Sequence, residues 1–65
     1  MKLNVTIADE GRKIIDVDDI LALSRWSDRL NPYVQTRIVF KKVKGESVNI
    51  YESLEEIFEM VKDGL

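Results

Sequence analysis

The feature that most constrains the fold is a strand–turn–strand–helix pattern over residues 36–61. Its first part alternates with period two, which is typical of a strand with one buried face. The residues of one parity are Val34, Thr36, Ile38 and Phe40. Lys44-Gly45 predicts a tight turn, because glycine adopts positive φ without steric cost. Val48 and Ile50 then resume the alternation, so the sequence predicts a β-hairpin.

A capped helix is predicted directly after the hairpin. Ser53 and Glu56 have the spacing of a capping box, and Lys62 and Gly64 are suited to the last turn and the C-terminal cap. A single apolar stripe follows the helical period, formed by Leu54, Ile57, Phe58 and Val61. We expect this stripe to pack on the hairpin in one apolar seam, formed by Ile38, Phe40, Ile50, Ile57 and Phe58.

The N-terminal residues predict a second hairpin. Alternation over residues 2–8 indicates a strand, Asp9-Glu10-Gly11 a turn, and residues 13–17 a second strand. Residues 16–31 are ambiguous. Ala22, Trp26 and Leu30 share one side of a helical wheel, and Asn31-Pro32 would end a helix there, so we favour a helix. The alternative is a short buried strand over residues 20–23 followed by a long loop.

These elements predict one α+β domain over residues 1–65, in the order ββαββα. We expect a mainly antiparallel sheet with two helices on one face. Such a small chain supports a core worth only about 3–5 kcal/mol, which makes self-association a reasonable expectation.

Composition excludes several kinds of site. The chain has no His and no Cys, which removes nucleophile–histidine arrangements and zinc sites built on those residues. Asp16, Asp18 and Asp19 are the main carboxylate group, but they lack most of a calcium-loop ligand set. We therefore predict a non-enzymatic protein without cofactor or metal. No apolar run is long enough for a membrane span, and we expect a cytoplasmic protein.

Partner binding is the predicted role, with a protein as the partner. The candidate contacts are Trp26, Arg29, Tyr33, Arg37 and Lys41. Trp and Arg are enriched in interface hot spots, although for Trp26 we favour burial on the predicted helix. The sheet face opposite the helices would be open, and it contains Arg37, Val39, Lys41 and Val43. This face would either form an interface, for example in a homodimer, or be solvated.

Two alternative functions remain open at this point. The hairpin tip is basic, which is compatible with nucleic-acid binding, although the net charge of −2 argues against it. The last helix has an acidic outer face, which in an inhibitor would mimic nucleic acid. The basic residues are Arg37, Lys41, Lys42 and Lys44, and the acidic ones are Glu52, Glu55, Glu56, Glu59 and Asp63.

The stretch from Thr36-x-Ile38 through Gly45 to Tyr51-Glu52-Ser53-x-Glu55-Glu56 resembles the end of small flagellar proteins of the FlbD/SwrD type. The hairpin and helix are also similar to the ends of LytTR DNA-binding domains and to small phage anti-CRISPR inhibitors. The resemblance covers less than half the chain, and the segment with Trp26 and Pro32 departs from the FlbD pattern. It implies a non-enzymatic, partner-binding role. The small size of the chain leads us to expect an accessory or inhibitory protein of bacterial or phage type.

Overall fold

The computed structural model describes residues 1–42 and 45–63. Over these residues the chain forms a single 3₁₀ turn at Val17–Asp19 and six longer elements. They are β1 (Lys2–Ile7), β2 (Gly11–Asp16), β3 (Ile20–Arg25), β4 (Thr36–Phe40), β5 (Ser47–Ile50) and α1 (Leu54–Asp63). The strands form one antiparallel sheet in the order β2-β1-β5-β4-β3. No helix in this part of the chain is long and apolar enough to cross a membrane.

Both predicted hairpins occupy the expected parts of the chain. Strands β1 and β2 pair from Lys2↔Asp16 to Ile7↔Gly11, and β4 and β5 pair from Thr36↔Ile50 to Val39↔Ser47. Gly45 has a φ of 83°, the conformation for which a turn glycine is needed. The predicted positions of Val43, Lys44 and Gly64 lie outside the described residues.

The predicted order ββαββα is wrong, because the described residues contain one α-helix and five strands. Residues 20–25 form strand β3, which pairs with β4 through Leu23↔Ile38 and Ser24↔Arg37. The 3₁₀ turn, capped by the Asp16 carboxylate, ends just before Ile20. Pairing with β4 then outweighs the weak local preference of this segment for helix. The alternative of a strand followed by a loop is therefore the better description, although no residue of β3 is buried as that alternative expected.

The core lies on one face of the sheet, under α1. Its buried members are Leu3, Val5, Ile7, Ile15, Ile38, Ile50 and Ile57. The alternation along β1 and β4 places every second side chain on this face. The helix packs against β1 and β3, so a single helix covers a sheet face for which two had been predicted.

The predicted apolar seam is correct for Ile38, Ile50 and Ile57, which are all fully buried, and Phe40 packs partly buried against them. It is wrong for Phe58, whose exposed fraction is 59%. Successive helical residues are rotated by about 100°, so a helix that buries Ile57 turns Phe58 to its flank. Met60 and Val61 complete the covered side of α1 instead.

The predicted N-cap of α1 is confirmed. The Ser53 hydroxyl accepts a hydrogen bond of 3.1 Å from the Glu56 amide. This bond satisfies one of the amides that the first turn of a helix leaves without an intrahelical partner.

A buried carboxylate joins β1 to the segment after β5. The Tyr51 amide donates to the Thr6 carbonyl, but the Thr6 amide donates to Glu52 Oε1 at 2.7 Å rather than to a strand carbonyl. The Thr6 hydroxyl donates to Glu52 Oε2 at 2.9 Å, and Arg12 approaches the same oxygen at 3.5 Å. The Glu52 side chain therefore extends the β-ladder beyond the last residue of β5. The prediction that Glu52 belongs to the acidic outer face of the last helix is therefore wrong.

Candidate functional site

The loop between β3 and β4 presents large apolar side chains to solvent. Leu30 is 94% exposed, Tyr33 is 72% exposed and Trp26 is 40% exposed. Burial of such side chains is normally favourable by about 1.5–3 kcal/mol each, so their concentration in eight residues calls for an explanation.

Side chain–backbone hydrogen bonds hold this loop in shape. The Asp28 carboxylate accepts from the Leu30 amide at 2.8 Å, and the Asn31 side-chain oxygen accepts from the Tyr33 amide at 3.2 Å. Asp28 and Asn31 also form a backbone bridge, and Val34 anchors the end of the loop in the protein interior. The exposed side chains are therefore presented by a constrained backbone.

Trp26 and Arg37 stack on each other and line a groove beside the loop. The guanidinium carbon of Arg37 lies 3.5 Å from the centroid of the Trp26 ring, a cation–π contact. Arg37 Nε also donates to Asn49 Oδ1 at 2.9 Å. The groove has a volume of about 580 Å³, and its lining comprises residues 26–30, Arg37 and Asn49.

A pair of tyrosines supports the far end of the loop. The rings of Tyr33 and Tyr51 meet edge to face with 6.2 Å between their centroids. Asn31 Nδ2 donates to the Tyr51 hydroxyl at 3.0 Å, and Gln35 Nε2 donates to the Tyr51 carbonyl. These contacts connect the loop to the segment between β5 and α1.

The structure brings together most of the predicted contact residues. Trp26, Arg29 and Arg37 line the groove, and Tyr33 lies on the same loop. Lys41 is separate, because it follows the end of β4 and its amide donates to the Asp19 carbonyl near the start of β3. We call Trp26, Arg29, Leu30, Tyr33 and Arg37 the loop surface.

Burial of Trp26 on a helix was a wrong expectation, since Trp26 directly follows strand β3. Leu30 was missed as a contact residue for the same reason, because its apolar character was assigned to the buried side of that helix. Its position immediately before Asn31-Pro32, a turn sequence, is the signal that could have placed it in a loop.

Two basic residues of the hairpin that was considered for nucleic-acid binding already contact other side chains of the protein. Lys42 Nζ lies 3.1 Å from Asp19 Oδ1, and the guanidinium of Arg37 lies over Trp26.

Asp16, a member of the carboxylate group considered for metal binding, caps the 3₁₀ turn and contacts Lys2. The hydrogen bond from the Asp18 amide, followed by the one from Lys2, holds the pKa of the Asp16 carboxyl below its ordinary value. Within residues 1–42 and 45–63, no group of three or more potential ligands is placed to hold a metal ion.

An ion pair between Arg25 and Glu55 links β3 to the first turn of α1. The hydrogen bond from Arg25 holds the pKa of Glu55 below its ordinary value. We expect Arg25→Met to raise this pKa toward that value, which an NMR titration of the Glu55 carboxyl would measure. Because the folded-state pKa is lowered, the pair's contribution to stability is present above the unfolded-state pKa and is lost as pH falls through the folded-state pKa. An unchanged titration of Glu55 in the variant would contradict the pairing.

No family model, characterised protein or solved structure matches this chain.

Proposed function

We propose that this protein is a non-enzymatic module that binds another protein through the loop surface. The observation that supports this proposal is the exposure of Trp26, Leu30 and Tyr33 on a loop held by its own hydrogen bonds. We propose an accessory or inhibitory role in the cytoplasm.

The chemistry of the loop surface is that of a protein interface. Trp, Tyr and Arg are the residues most enriched among binding hot spots, and this surface contains all three types. Leu30 adds an apolar side chain that the protein itself leaves almost uncovered. A constrained loop also loses less conformational entropy on binding than a mobile one.

The groove geometry supports docking more than reaction chemistry. Its lining includes the stacked Trp26–Arg37 pair together with Ser27, Asp28 and Arg29. The Asp28 carboxylate is engaged with the Leu30 amide, so its role in the structure is to shape the loop. A partner side chain that enters the groove would meet the stacked Trp26–Arg37 pair and the Arg29 side chain.

The test begins with affinity capture on the immobilised protein, followed by calorimetry with the purified partner that it identifies. We expect Trp26→Ala and Leu30→Asp each to weaken binding by about 2 kcal/mol or more, which is roughly 30-fold. Ile14→Ala is the matched control, because Ile14 is exposed on β2 at the other end of the sheet. Circular dichroism of each variant would verify that it is folded.

Equal affinities for the wild type and both loop variants would contradict the proposal. Nucleic-acid binding through the basic hairpin would give another outcome. The protein would bind DNA or RNA with an affinity that falls steeply with salt, and the triple variant Lys41→Glu, Lys42→Glu, Lys44→Glu would lose that binding.

A further inference from the structure

The two edges of the sheet differ in charge. Strand β2, at one edge, contains Arg12, Lys13 and Asp16. Strand β3, at the other edge, has no charged residue, proline or glycine before Arg25. Charged side chains and proline are the usual means of preventing association through a free strand edge. By this criterion β2 is protected against pairing with another strand, and β3 is much less protected.

The backbone of β3 is arranged to accept another strand. The Trp26 amide donates to the Gln35 carbonyl at 3.0 Å, and Ser24 lies opposite Arg37 in the same register. Since the hydrogen-bonding direction alternates along an antiparallel strand, Leu23 and Arg25 direct their amides and carbonyls away from β4. A register shift between Ile20 and Ala22 leaves Ala22–Arg25 as the regular part of this edge.

Apolar side chains flank this edge. Leu21 on β3 is 64% exposed, and Phe58 is exposed on α1. Phe58 lies about 60° around the helix from Glu55, whose carboxylate pairs with Arg25 of β3, so Phe58 lies on the flank of α1 nearer to this edge. The edge therefore combines free backbone groups with exposed apolar surface.

We propose that two copies of the chain pair antiparallel through β3, with a two-fold axis near Ser24, and form one continuous ten-stranded sheet. Around this axis the outward groups of Leu23 and Arg25 in one copy meet the equivalent groups of the other, so the edge is complementary to itself. Arg25, the one charged residue of β3, pairs with the oppositely charged Glu55 of α1, so a second copy brings no excess of like charge to the paired strands. This interface adjoins the loop surface, because an axis near Ser24 places Ala22 of one copy opposite Trp26 of the other. It rests on the strand edge and does not depend on the proposed function.

Sedimentation equilibrium would test the association. We expect a reversible dimer whose dissociation constant rises about tenfold or more in Leu21→Lys, because Leu21 is exposed immediately before the paired stretch Ala22–Arg25 and the variant places a charge there. Ile14→Lys is the matched control, since Ile14 is 66% exposed on the opposite edge strand, and it should leave the dissociation constant unchanged. A monomer at millimolar concentration would overturn the proposal, as would equal effects of the two substitutions.

Spin-label distances would identify the interface without any charge substitution. The chain has no native Cys, so Ser24→Cys and Ile14→Cys each give a single labelling site. We expect labels at residue 24 to lie within about 20 Å of each other, since neighbouring strands are about 4.8 Å apart and the tethers add the rest. Labels at residue 14 should be separated by about 40 Å, close to nine strand spacings. A dimer with the short distance at residue 14, or with long distances at residue 24, would overturn pairing through β3.

Discussion

Replacing Ile57 with alanine should lower the free energy of unfolding by about 2–5 kcal/mol and leave much of the protein unfolded at 25 °C. Ile57 is fully buried and is the one buried residue of α1. Its truncation removes apolar burial and leaves a cavity between the helix and the sheet. The core of a domain this small rarely supplies more than about 3–5 kcal/mol, so the loss is comparable with the whole stability.

The neighbouring Phe58→Ala provides the control. Both residues belong to the apolar stripe predicted from the sequence, but Phe58 is exposed, so its truncation should change stability by about 0.5 kcal/mol or less. Urea unfolding followed by circular dichroism would measure both variants, at a concentration low enough to keep any dimer dissociated. Comparable losses for Ile57→Ala and Phe58→Ala would mean that α1 is rotated relative to the structure described above.

Glu52→Ala should lower the free energy of unfolding by about 2–3 kcal/mol. The substitution removes the acceptor of the Thr6 amide and the Thr6 hydroxyl, and it leaves Arg12 without its carboxylate. Tyr51 follows the end of β5, and its carbonyl accepts a hydrogen bond from Gln35 Nε2 rather than from the Thr6 amide. The loss should exceed that of an ordinary surface ion pair, which is about 0–1 kcal/mol.

Two further substitutions separate charge from hydrogen bonding. Glu52→Gln keeps an oxygen acceptor for the Thr6 amide and should cost less than Glu52→Ala, while Glu59→Ala on the exposed side of α1 should change stability by about 0.5 kcal/mol or less. Urea unfolding again gives the free energies, and hydrogen exchange of the Thr6 amide gives a local measurement. A Thr6 amide that exchanges at the same rate in wild type and Glu52→Ala would contradict the assigned role.

The elements that were predicted correctly depend on contacts between residues close in the chain. The alternation of β1 and β4, the turn at Gly45 and the Ser53 cap each follow from local geometry that a few neighbouring residues specify. The burial of Ile38, Ile50 and Ile57 followed from periodicity alone.

The errors arose where a distant partner decided the outcome. Residues 20–25 have a mixed pattern, and they became a strand because β4 offers an unpaired edge through Leu23↔Ile38. That change moved Trp26 and Leu30 from a predicted buried helix face to an exposed loop. Most residues of the loop surface were predicted from the sequence as contact residues. The groove that some of them form with Arg37 and Asn49 was not predicted.

The two hairpins, the capped helix and the absence of His and Cys chemistry can all be read from the residue order, because each is a property of composition or of neighbouring residues. Three features required the folded chain: β3 forms the second edge of the sheet, Phe58 lies exposed on the flank of α1, and Glu52 continues the ladder of β1. They depend on hydrogen bonds and burial between segments far apart in the chain, and the free energies of these contacts outweigh small local preferences.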